Sequence, residues 1–426
     1  MNVLMFGWEF PPNISGGLGT ACEGIVKGLS SYNDVHIIFV VPISMGNENA
    51  SNFELIDAEN VAKTGKVIFK EQSQYTTIEV PSRLYPYHSP EDFSKQKHFS
   101  NEEIGQCVST IQNREFHFTG KYGPNLFDEI NNYALIAKTI AQKSNFELIH
   151  IHDWLTFPAG IAARNTSGKP LIVHVHSTDF DRSGGKINTS IYSIEKQGFE
   201  QADKIIAVSN RIKNCIIENY HISPTKITTV YNAIDPLQNA HKQNNKRKYT
   251  EKVVTFLGRI TIQKGPEYFI EVAKLVLNRM KNVRFVMAGN GDMTDKMVEL
   301  SAKYGISNKF HFAGFMKGNE VNEMLQMSDI FIMPSVSEPF GIVPLEAMQA
   351  NVPVIISRQS GVSELIRNVI KTDFWDINAM ADAIHGILSQ RILSKVMAFE
   401  GNCEVNKLNW VHAAEHIRRV YQSVIY

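Results

Sequence analysis

The sequence has 426 residues, of which 43% are hydrophobic and 20% are charged, a composition typical of globular proteins with two or three domains at this length. Its 43 lysines and arginines balance 43 aspartates and glutamates, which argues against nucleic acid or an anionic membrane as a partner. Cys22, Cys107, Cys215 and Cys403 lie far apart and predict neither a disulfide framework nor a zinc-thiolate site. With no basic leader and no long apolar run, we predict a cytoplasmic protein without a membrane span.

Short apolar runs alternate with helical segments through the first half of the chain. The predicted strands lie within residues 2–8, 35–42, 146–153, 170–177 and 204–209. Helical periodicity at 20–32 and 131–144 predicts repeated β-α units and therefore a parallel sheet. We assign residues 1–235 to a Rossmann-like domain, with an irregular insertion at about 44–130.

The alternation restarts after a polar stretch at 236–252 that has no apolar period and therefore indicates a linker. The next predicted strands lie within residues 253–259, 284–291, 309–315, 329–335 and 352–358. We predict a second doubly wound domain at 236–408, then a helix at 409–426 whose apolar face packs across the two domains. The predicted fold class is α/β, with two Rossmann-like domains that face a central cleft.

The loop after the first strand contains the first candidate binding residues. Gly16 and Gly17 precede a helix, the arrangement in which backbone amides approach a phosphate, although a tight strand-to-helix turn has the same pattern. Glu9 lies in the same loop, in WEFPP. The residues alone do not decide whether its carboxylate faces a ligand or solvent.

Two cations mark the corresponding edge of the second domain. Arg259 ends a predicted strand and Lys264 follows it in GRITIQKG. Such a pair can neutralise a leaving diphosphate without a metal, although an isolated pair of this kind is usually surface charge. Its position at the predicted binding edge favours the diphosphate.

Two glutamates follow a later strand of the same domain, eight residues apart. Glu338 lies in the loop, and a helix that contains Glu346 begins after Phe340, Gly341 and Ile342. Amides at that helix start favour an anion, and the carboxylates can accept hydrogen bonds from a sugar and a ribose. The alternative for Glu346 alone is that it merely charges the first helical turn.

Two motifs suggest metal binding instead. Two predicted strands end in His-x-His pairs, and alternation points the two histidines of one pair to the same face; the pairs are His150 with His152 and His174 with His176. A metal-dependent hydrolase is therefore an alternative, but it needs a single eight-fold barrel, against which the restarted sheet argues. Asp179 and Asp181 form an Asp-x-Asp, which holds a divalent metal in some sugar transferases. Since Arg259 and Lys264 make a metal unnecessary, we predict no metal and no cofactor.

In this order the motifs resemble the retaining glycosyltransferases of the GT-B fold over most of the chain. The second half resembles glycosyltransferase family 4 in GRITIQKG, in the AGNG turn at 288–291 and in the step from Glu338 to Glu346. The first half is closer to glycogen and starch synthases, in WEFPPNISGGLG, HDW at 152–154, AVSN at 207–210 and YNAID at 231–235. Ile14 departs from the pattern, because many glycogen synthases have lysine there.

For the donor, the resemblance implies that the Gly16 and Gly17 loop faces the diphosphate of a nucleotide sugar. It implies that Arg259 and Lys264 would hold the phosphates. By the same resemblance, Glu338 and the amides near Gly341 would hold the donor sugar, and Glu346 the ribose. The remaining donor-binding residues that it implies are Asn232, Phe340 and Ile342.

The resemblance also implies that His152 contacts the sugar near C6 and that Glu9 faces the acceptor. His152, Arg259, Lys264 and Glu338 are then the catalytic residues. The implied reaction moves a glucosyl group, with retention, from ADP- or UDP-glucose to an α-glucan, as in glycogen synthases. The alternative within the fold makes a small glycoside of the sucrose or trehalose type, or a surface polysaccharide.

Overall fold

The computed structural model describes residues 1–11, 17–42, 53–57, 125–235 and 250–425. Within them the chain forms two separate parallel β-sheets with helices on their faces. This confirms the predicted α/β class with two Rossmann-like units, which we call the first and the second domain. Most of the predicted insertion at about 44–130 lies outside the described residues, as does Gly16.

The first domain is built on seven described strands. They are β1 Asn2–Phe6, β2 His36–Val41, β3 Glu54–Asp57, β4 Leu148–His152, β5 Leu171–Val175, β6 Lys204–Ala207 and β7 Ile227–Thr229. Its helices are α1 Gly17–Ser30, α2 Leu126–Lys143, α3 Phe157–Ser167, α4 Asp179–Arg182, α5 Thr189–Gln201 and α6 Asn210–Tyr220. The strand order is β3-β2-β1-β4-β5-β6-β7. Both faces of its central strands are buried, which explains why these segments read as continuous apolar runs.

The second domain has six described strands. They are β8 Lys252–Leu257, β9 Val283–Ala288, β10 Phe310–Gly314, β11 Ile330–Met333, β12 Val354–Ser357 and β13 Ile370–Thr372. Its helices are α7 Pro266–Arg279, α8 Thr294–Lys303, α9 Asn319–Met327, α10 Val343–Gln349, α11 Ile377–Ser389 and α12 Arg391–Val405. The strand order is β10-β9-β8-β11-β12-β13. The described strands therefore form two open sheets, and not the single barrel that the metal-dependent hydrolase alternative needs.

A final described helix, α13 Trp410–Ile425, packs on α1 of the first domain and buries Trp410, Ile417 and Tyr421. Gly24 makes this packing possible, because a Cβ there would lie 2.0 Å from the Trp410 ring. The Tyr421 hydroxyl reaches the sheet itself, 2.6 Å from His150 Nδ1. The helix predicted at 409–426 thus completes the apolar core of the first domain.

The strand order determines the edge of each sheet at which a ligand can bind. In the first sheet β1 lies between β2 and β4, and in the second β8 lies between β9 and β11. Chain connections leave in opposite directions at these switch points, which opens a crevice outside the carboxyl ends of the strands. The loops after β1, β4, β8 and β11 are therefore where a ligand of each domain is expected.

None of the helices among the described residues combines the length and apolar character that crossing a membrane requires.

Candidate functional site

At the switch point of the second domain, the predicted cation and carboxylate are in direct contact. Lys264 ends a short turn at Ile262–Lys264 after β8, and its Nζ forms an ion pair with Glu338 Oε2. The Lys264 side chain is 18% exposed and that of Glu338 is 7% exposed. The hydroxyl of Ser335 also donates a hydrogen bond to Glu338 Oε2, at 3.4 Å. Two groups that are 74 residues apart in sequence thus meet at one edge of the sheet.

The backbone around Glu338 is fixed on both sides. Its N–H donates to the Gln359 carbonyl at 3.0 Å, and its carbonyl accepts from the Gly361 N–H at 2.8 Å. Gly341 has φ of +101°, and a Cβ there would lie 3.1 Å from Glu338 Cγ. Only glycine suits both the conformation and the space, so the turn into α10 is shaped around this carboxylate.

Glu346 lies in the first turn of α10 and is half-buried. Burial raises the pKa of its carboxyl to about 7. Whether Glu346 serves the helix start or a ligand stays a prediction.

Asn232 is brought to the same region from the first domain and is 6% exposed. Its neighbour Tyr231 packs against Phe340, with ring centroids 6.4 Å apart. Gln349 on α10 donates from Nε2 to the Asp235 carbonyl at 2.9 Å. The segment at 231–235 therefore joins the loop and helix that contain the two glutamates.

The remaining predicted residues lie near their expected edges. Arg259 follows β8, is half-buried and interacts with other groups of the chain. Gly17 begins α1 and is exposed, and a Cβ at this position would meet no described atom within 4 Å. Glu9 is 9% exposed, and its charge acts on Cys22, so it faces the interior rather than bulk solvent. The roles of these residues stay predictions.

His152 belongs to a group of four buried histidines at the carboxyl ends of β4 and β5. His152 pairs with His174 in the parallel register of the two strands. His152 Nδ1 lies 3.0 Å from His176 Nε2, and His150 Nε2 lies 3.2 Å from His174 Nδ1. Burial lowers the pKa of all four and takes those of His150 and His176 to about 3, so the rings are neutral.

Asp153 carries the clearest backbone strain in the described site. It follows His152 directly and has φ of +58° and ψ of 168°, a region that residues other than glycine rarely occupy. Its Oδ1 accepts from the N–H of His176 at 2.6 Å and of Ser177 at 3.2 Å. Burial raises the pKa of Asp153 to about 7. This carboxyl ties the end of β4 to the loop after β5, and the sequence assigned no role to it.

Asp179 and Asp181 serve as hydrogen-bond acceptors. Asp181 Oδ2 caps α4 by accepting from the N–H and hydroxyl of Thr178, and Asp179 Oδ2 accepts from the Asn188 N–H at 2.6 Å. Asp181 Oδ1 accepts from the Ser337 hydroxyl of the second domain at 2.7 Å. The Asp-x-Asp therefore has a structural function in capping and in joining the domains.

The loop of Glu338 is held by the first domain on both sides. Before it, Ser337 bonds to Asp181; after it, the Pro339 carbonyl accepts from the Ser209 hydroxyl at 2.6 Å. Glu364 strengthens the same interface by accepting from the N–H groups that begin α6, each at 2.8 Å. A change in the angle between the domains would therefore move the loop that contains Glu338.

Two family models match adjoining parts of the chain. The family described as glycosyltransferase family 4 matches residues 98–237, and that described as glycosyl transferases group 1 matches residues 238–402. An uncharacterized glycosyltransferase of Methanocaldococcus jannaschii is 27% identical, over 99% of this chain and 98% of its own length. A glycogen synthase of Mycobacterium tuberculosis is 21% identical over 91% of this chain and 86% of its own.

Solved structures show the same arrangement of two domains. The sucrose-phosphate synthase of Thermosynechococcus elongatus has a TM-score of 0.73 at 17% identity, covering 99% of this chain and 98% of its own. The Anabaena protein HepE in complex with UDP and glucose has a TM-score of 0.68 at 15% identity, covering 99% of this chain and all of its own.

The open sheets, the facing switch points and these matches define a glycosyltransferase of the GT-B fold. Its two halves match the family 4 and the group 1 models, and the chain is similar in sequence to a glycogen synthase.

The sequence did not identify Asp153, nor did it show that the four histidines form one buried group. For the histidines, one sequence pattern could have predicted this. Two His-x-His motifs end neighbouring strands at matching positions, and equal register in a parallel pair puts both pairs on one face. No comparable signal identified Ser337 or Ser209, because their partners are more than 100 residues away.

Proposed function

We propose that this protein is a retaining, metal-independent and cytoplasmic glycosyltransferase that moves a glucosyl group from ADP- or UDP-glucose to an α-glucan. The observation that carries the proposal is the contact between Lys264 and Glu338. It sets a cation for a diphosphate beside a carboxylate for a sugar, at a switch point where ligands of this fold class bind. The glycogen synthase similarity supports the acceptor class, and the complex of HepE with UDP and glucose supports the donor class.

In the proposed mechanism the acceptor hydroxyl attacks the anomeric carbon from the face that the diphosphate leaves. The bond to the diphosphate breaks, a phosphate oxygen takes the hydroxyl proton, and the configuration is retained. Negative charge gathers on the leaving group in the transition state. Arg259 and Lys264 therefore stabilise that state more than the bound donor, which is the condition for faster turnover.

Glu338 has two successive roles in this scheme. Before the donor binds, its carboxylate neutralises Lys264, whose ammonium group would otherwise be a half-buried cation without a partner. A diphosphate then competes for Lys264, and Glu338 becomes available to accept hydrogen bonds from sugar hydroxyls. Closure of the cleft would exclude water and limit hydrolysis of the donor.

The second candidate is synthesis of a small glycoside, favoured by the fold match to sucrose-phosphate synthase over nearly the whole chain. Its donor chemistry is the same, and only the acceptor differs. A surface polysaccharide is a further acceptor of this kind.

The test is a screen of ADP-, UDP- and GDP-glucose against glycogen, maltooligosaccharides, fructose and glucose 6-phosphate, with released nucleoside diphosphate as the readout. We expect release that depends on a glucan acceptor, and an α-linked product in the proton NMR spectrum. Release that depends only on fructose or glucose 6-phosphate would favour the second candidate. A β-linked product would contradict retention.

A further inference from the structure

Cys22, His152 and His176 converge inside the first domain from three different elements. Cys22 lies on α1, His152 ends β4, and His176 follows β5. All three are buried, and one potential ligand atom from each lies within 4.8 Å of the other two. Nitrogen and sulfur donors in this combination are those that Zn²⁺ and related cations prefer.

The spacing is close to that of a metal site. In a tetrahedral site with metal–nitrogen bonds of about 2.0–2.1 Å and a metal–sulfur bond of about 2.3 Å, neighbouring ligand atoms are about 3.3–3.6 Å apart. His152 Nδ1 and His176 Nε2 lie 3.0 Å apart as a hydrogen-bonded pair, and two nitrogens that bind one cation would replace this hydrogen bond. Side-chain movements of about an ångström would therefore bring all three donors onto one cation.

Several ring nitrogens in this group have no hydrogen-bond partner among the described residues. They are His152 Nε2, His174 Nε2 and His176 Nδ1. A buried polar atom without a partner is unfavourable by about 1–3 kcal/mol, and such atoms are uncommon in native interiors. The described residues therefore leave this group with fewer hydrogen-bond partners than its ring nitrogens can use.

We propose that Cys22, His152 and His176 bind one divalent transition-metal cation of the Zn²⁺ type, which links α1 to the ends of β4 and β5. The ring of His150 packs beside His152 and that of His174 beside His176, with centroids 4.4 and 4.5 Å apart, and His150 is held by Tyr421. One consequence rests on the proposed function: because His152 is placed against the donor sugar, a bound cation inhibits transfer. No sequence motif indicates this site, since Cys22 is remote from the histidines along the chain.

The test is a Co²⁺ titration of the full-length protein after dialysis against a chelator. We expect one Co²⁺ per chain, with the visible bands of tetrahedral cobalt and a thiolate-to-cobalt charge-transfer band. Cys22→Ser should abolish the charge-transfer band and weaken binding by more than the roughly 10- to 100-fold that loss of an outer-shell partner causes. Cys403→Ser, which changes an exposed thiol on α12, is the matched control and should behave like the wild type.

His174→Gln separates the proposed set from the other potential set, His150, His152 and His174. It should keep the charge-transfer band, whereas loss of all binding in His174→Gln with full binding in Cys22→Ser would overturn the proposal. X-ray absorption spectroscopy of the wild-type Zn²⁺ complex distinguishes the two ligand sets without a variant. A first shell with one sulfur and at least two imidazoles is expected, and a shell without sulfur would overturn the site.

The activity measurement is kept separate from the binding measurement. Zn²⁺ should inhibit nucleoside diphosphate release and EDTA should restore it, with Cys22→Ser less sensitive to Zn²⁺. If the protein releases no nucleoside diphosphate under any condition, the proposed function fails while the Co²⁺ spectrum still decides the metal site. If it transfers normally but Co²⁺ does not bind, only the metal site fails.

Discussion

The two switch points of this molecule have the same topology, but charged side chains lie at one and neutral histidines at the other. At β8 and β11 the site is charged and only partly buried, and Lys264 and Glu338 neutralise each other. At β1 and β4 the four histidines are buried, and burial holds them neutral. One edge can therefore respond to an anion by exchanging partners, while the other offers neutral donors and acceptors in a fixed arrangement.

In the proposed reaction, this difference assigns a separate part of the substrate to each of the two similar domains. A leaving diphosphate needs positive charge that can be redirected to it, whereas an uncharged sugar needs hydrogen bonds of fixed geometry. The loop of Glu338 connects the two requirements, since hydrogen bonds to Asp181 and Ser209 of the first domain hold it on both sides. The following predictions test whether the charged and the neutral edges act as this division implies.

Removal of the charge on the second edge should have the largest effect. We expect Lys264→Ala to lower turnover at saturating donor by about two to four powers of ten, because a contact strengthened in the transition state is worth roughly 3–5 kcal/mol. Arg259→Ala should fall in the same range. The measurement is kcat together with the melting temperature of each variant.

Lys252→Ala is a matched control for Lys264→Ala. Lys252 forms an ion pair with Asp329 at 3.2 Å, but it begins β8, at the end of the strand away from the site. It should leave turnover unchanged. Equal losses in Lys252→Ala and Lys264→Ala would show that any broken ion pair in this domain slows the enzyme, and diphosphate stabilisation would have to be abandoned.

Substitutions of the two glutamates should change different kinetic constants. Glu338→Gln should depress kcat with a modest change in donor KM, since its sugar partner changes during the reaction. Glu346→Gln should raise donor KM by roughly ten- to a hundredfold, the loss of a charge-assisted hydrogen bond of about 1.5–3 kcal/mol to a ribose that does not change. Identical kinetic losses with equal destabilisation would contradict the assignment.

The raised pKa of Glu346 adds a dependence on pH. Its folded-state pKa of about 7 lies above the usual value for glutamate, so the folded protein loses stability from this group as pH rises from about 4.5 to 7. Glu346→Gln should remove that loss, and its melting temperature relative to wild type should be higher at pH 8 than at pH 5. A difference that does not vary with pH would show that burial does not perturb this carboxyl.

A smaller effect is expected at the neutral edge, from Asp153. Asp153→Ala should lower turnover by about tenfold and destabilise the fold by roughly 2–4 kcal/mol, because two backbone N–H groups lose an acceptor and the strained backbone remains. Asp153→Asn keeps an acceptor and should recover most of both losses. Asp153→Gly should recover stability but not turnover, because it relieves strain without restoring the bond to His176. Equal melting temperatures for the alanine and glycine variants would contradict the strain at this position.

The smallest effect is expected from divalent metals that prefer oxygen ligands. If Arg259 and Lys264 neutralise the diphosphate, rates in EDTA and in added Mg²⁺ or Mn²⁺ should agree within about twofold. Initial rates of nucleoside diphosphate release are the measurement. Complete loss in EDTA, restored by Mg²⁺ or Mn²⁺, would show that a metal and not the two cations carries the charge.

The sequence predicted the central strands of both sheets and the five-residue edge strand β10, but it missed β3, β7 and β13. All three lie at sheet edges and have only three or four residues. An edge strand is covered on fewer sides, so it needs fewer apolar residues and gives a weaker pattern. In β7, for example, only Ile227 is buried.

The charged part of the site was easier to predict than the neutral part. Lys264 and Glu338 stand in short motifs next to strands, and chain order alone places both at one edge. The contribution of Asp153 depends on its backbone conformation, and that of Cys22 depends on how α1 lies on the sheet. Neither property is written in the local sequence, because both follow from contacts between distant segments.

The packing of α13 on α1 also determines when the first domain can finish folding during synthesis. Residues 410–425 are translated after the whole second sheet, yet they cover Gly24 and supply the hydroxyl that binds His150. Domains generally fold as units, with the amino-terminal one first as the chain emerges from the ribosome. In this protein the first domain keeps an uncovered apolar face until the second domain has been synthesised. The first domain therefore finishes folding last, although it is synthesised first.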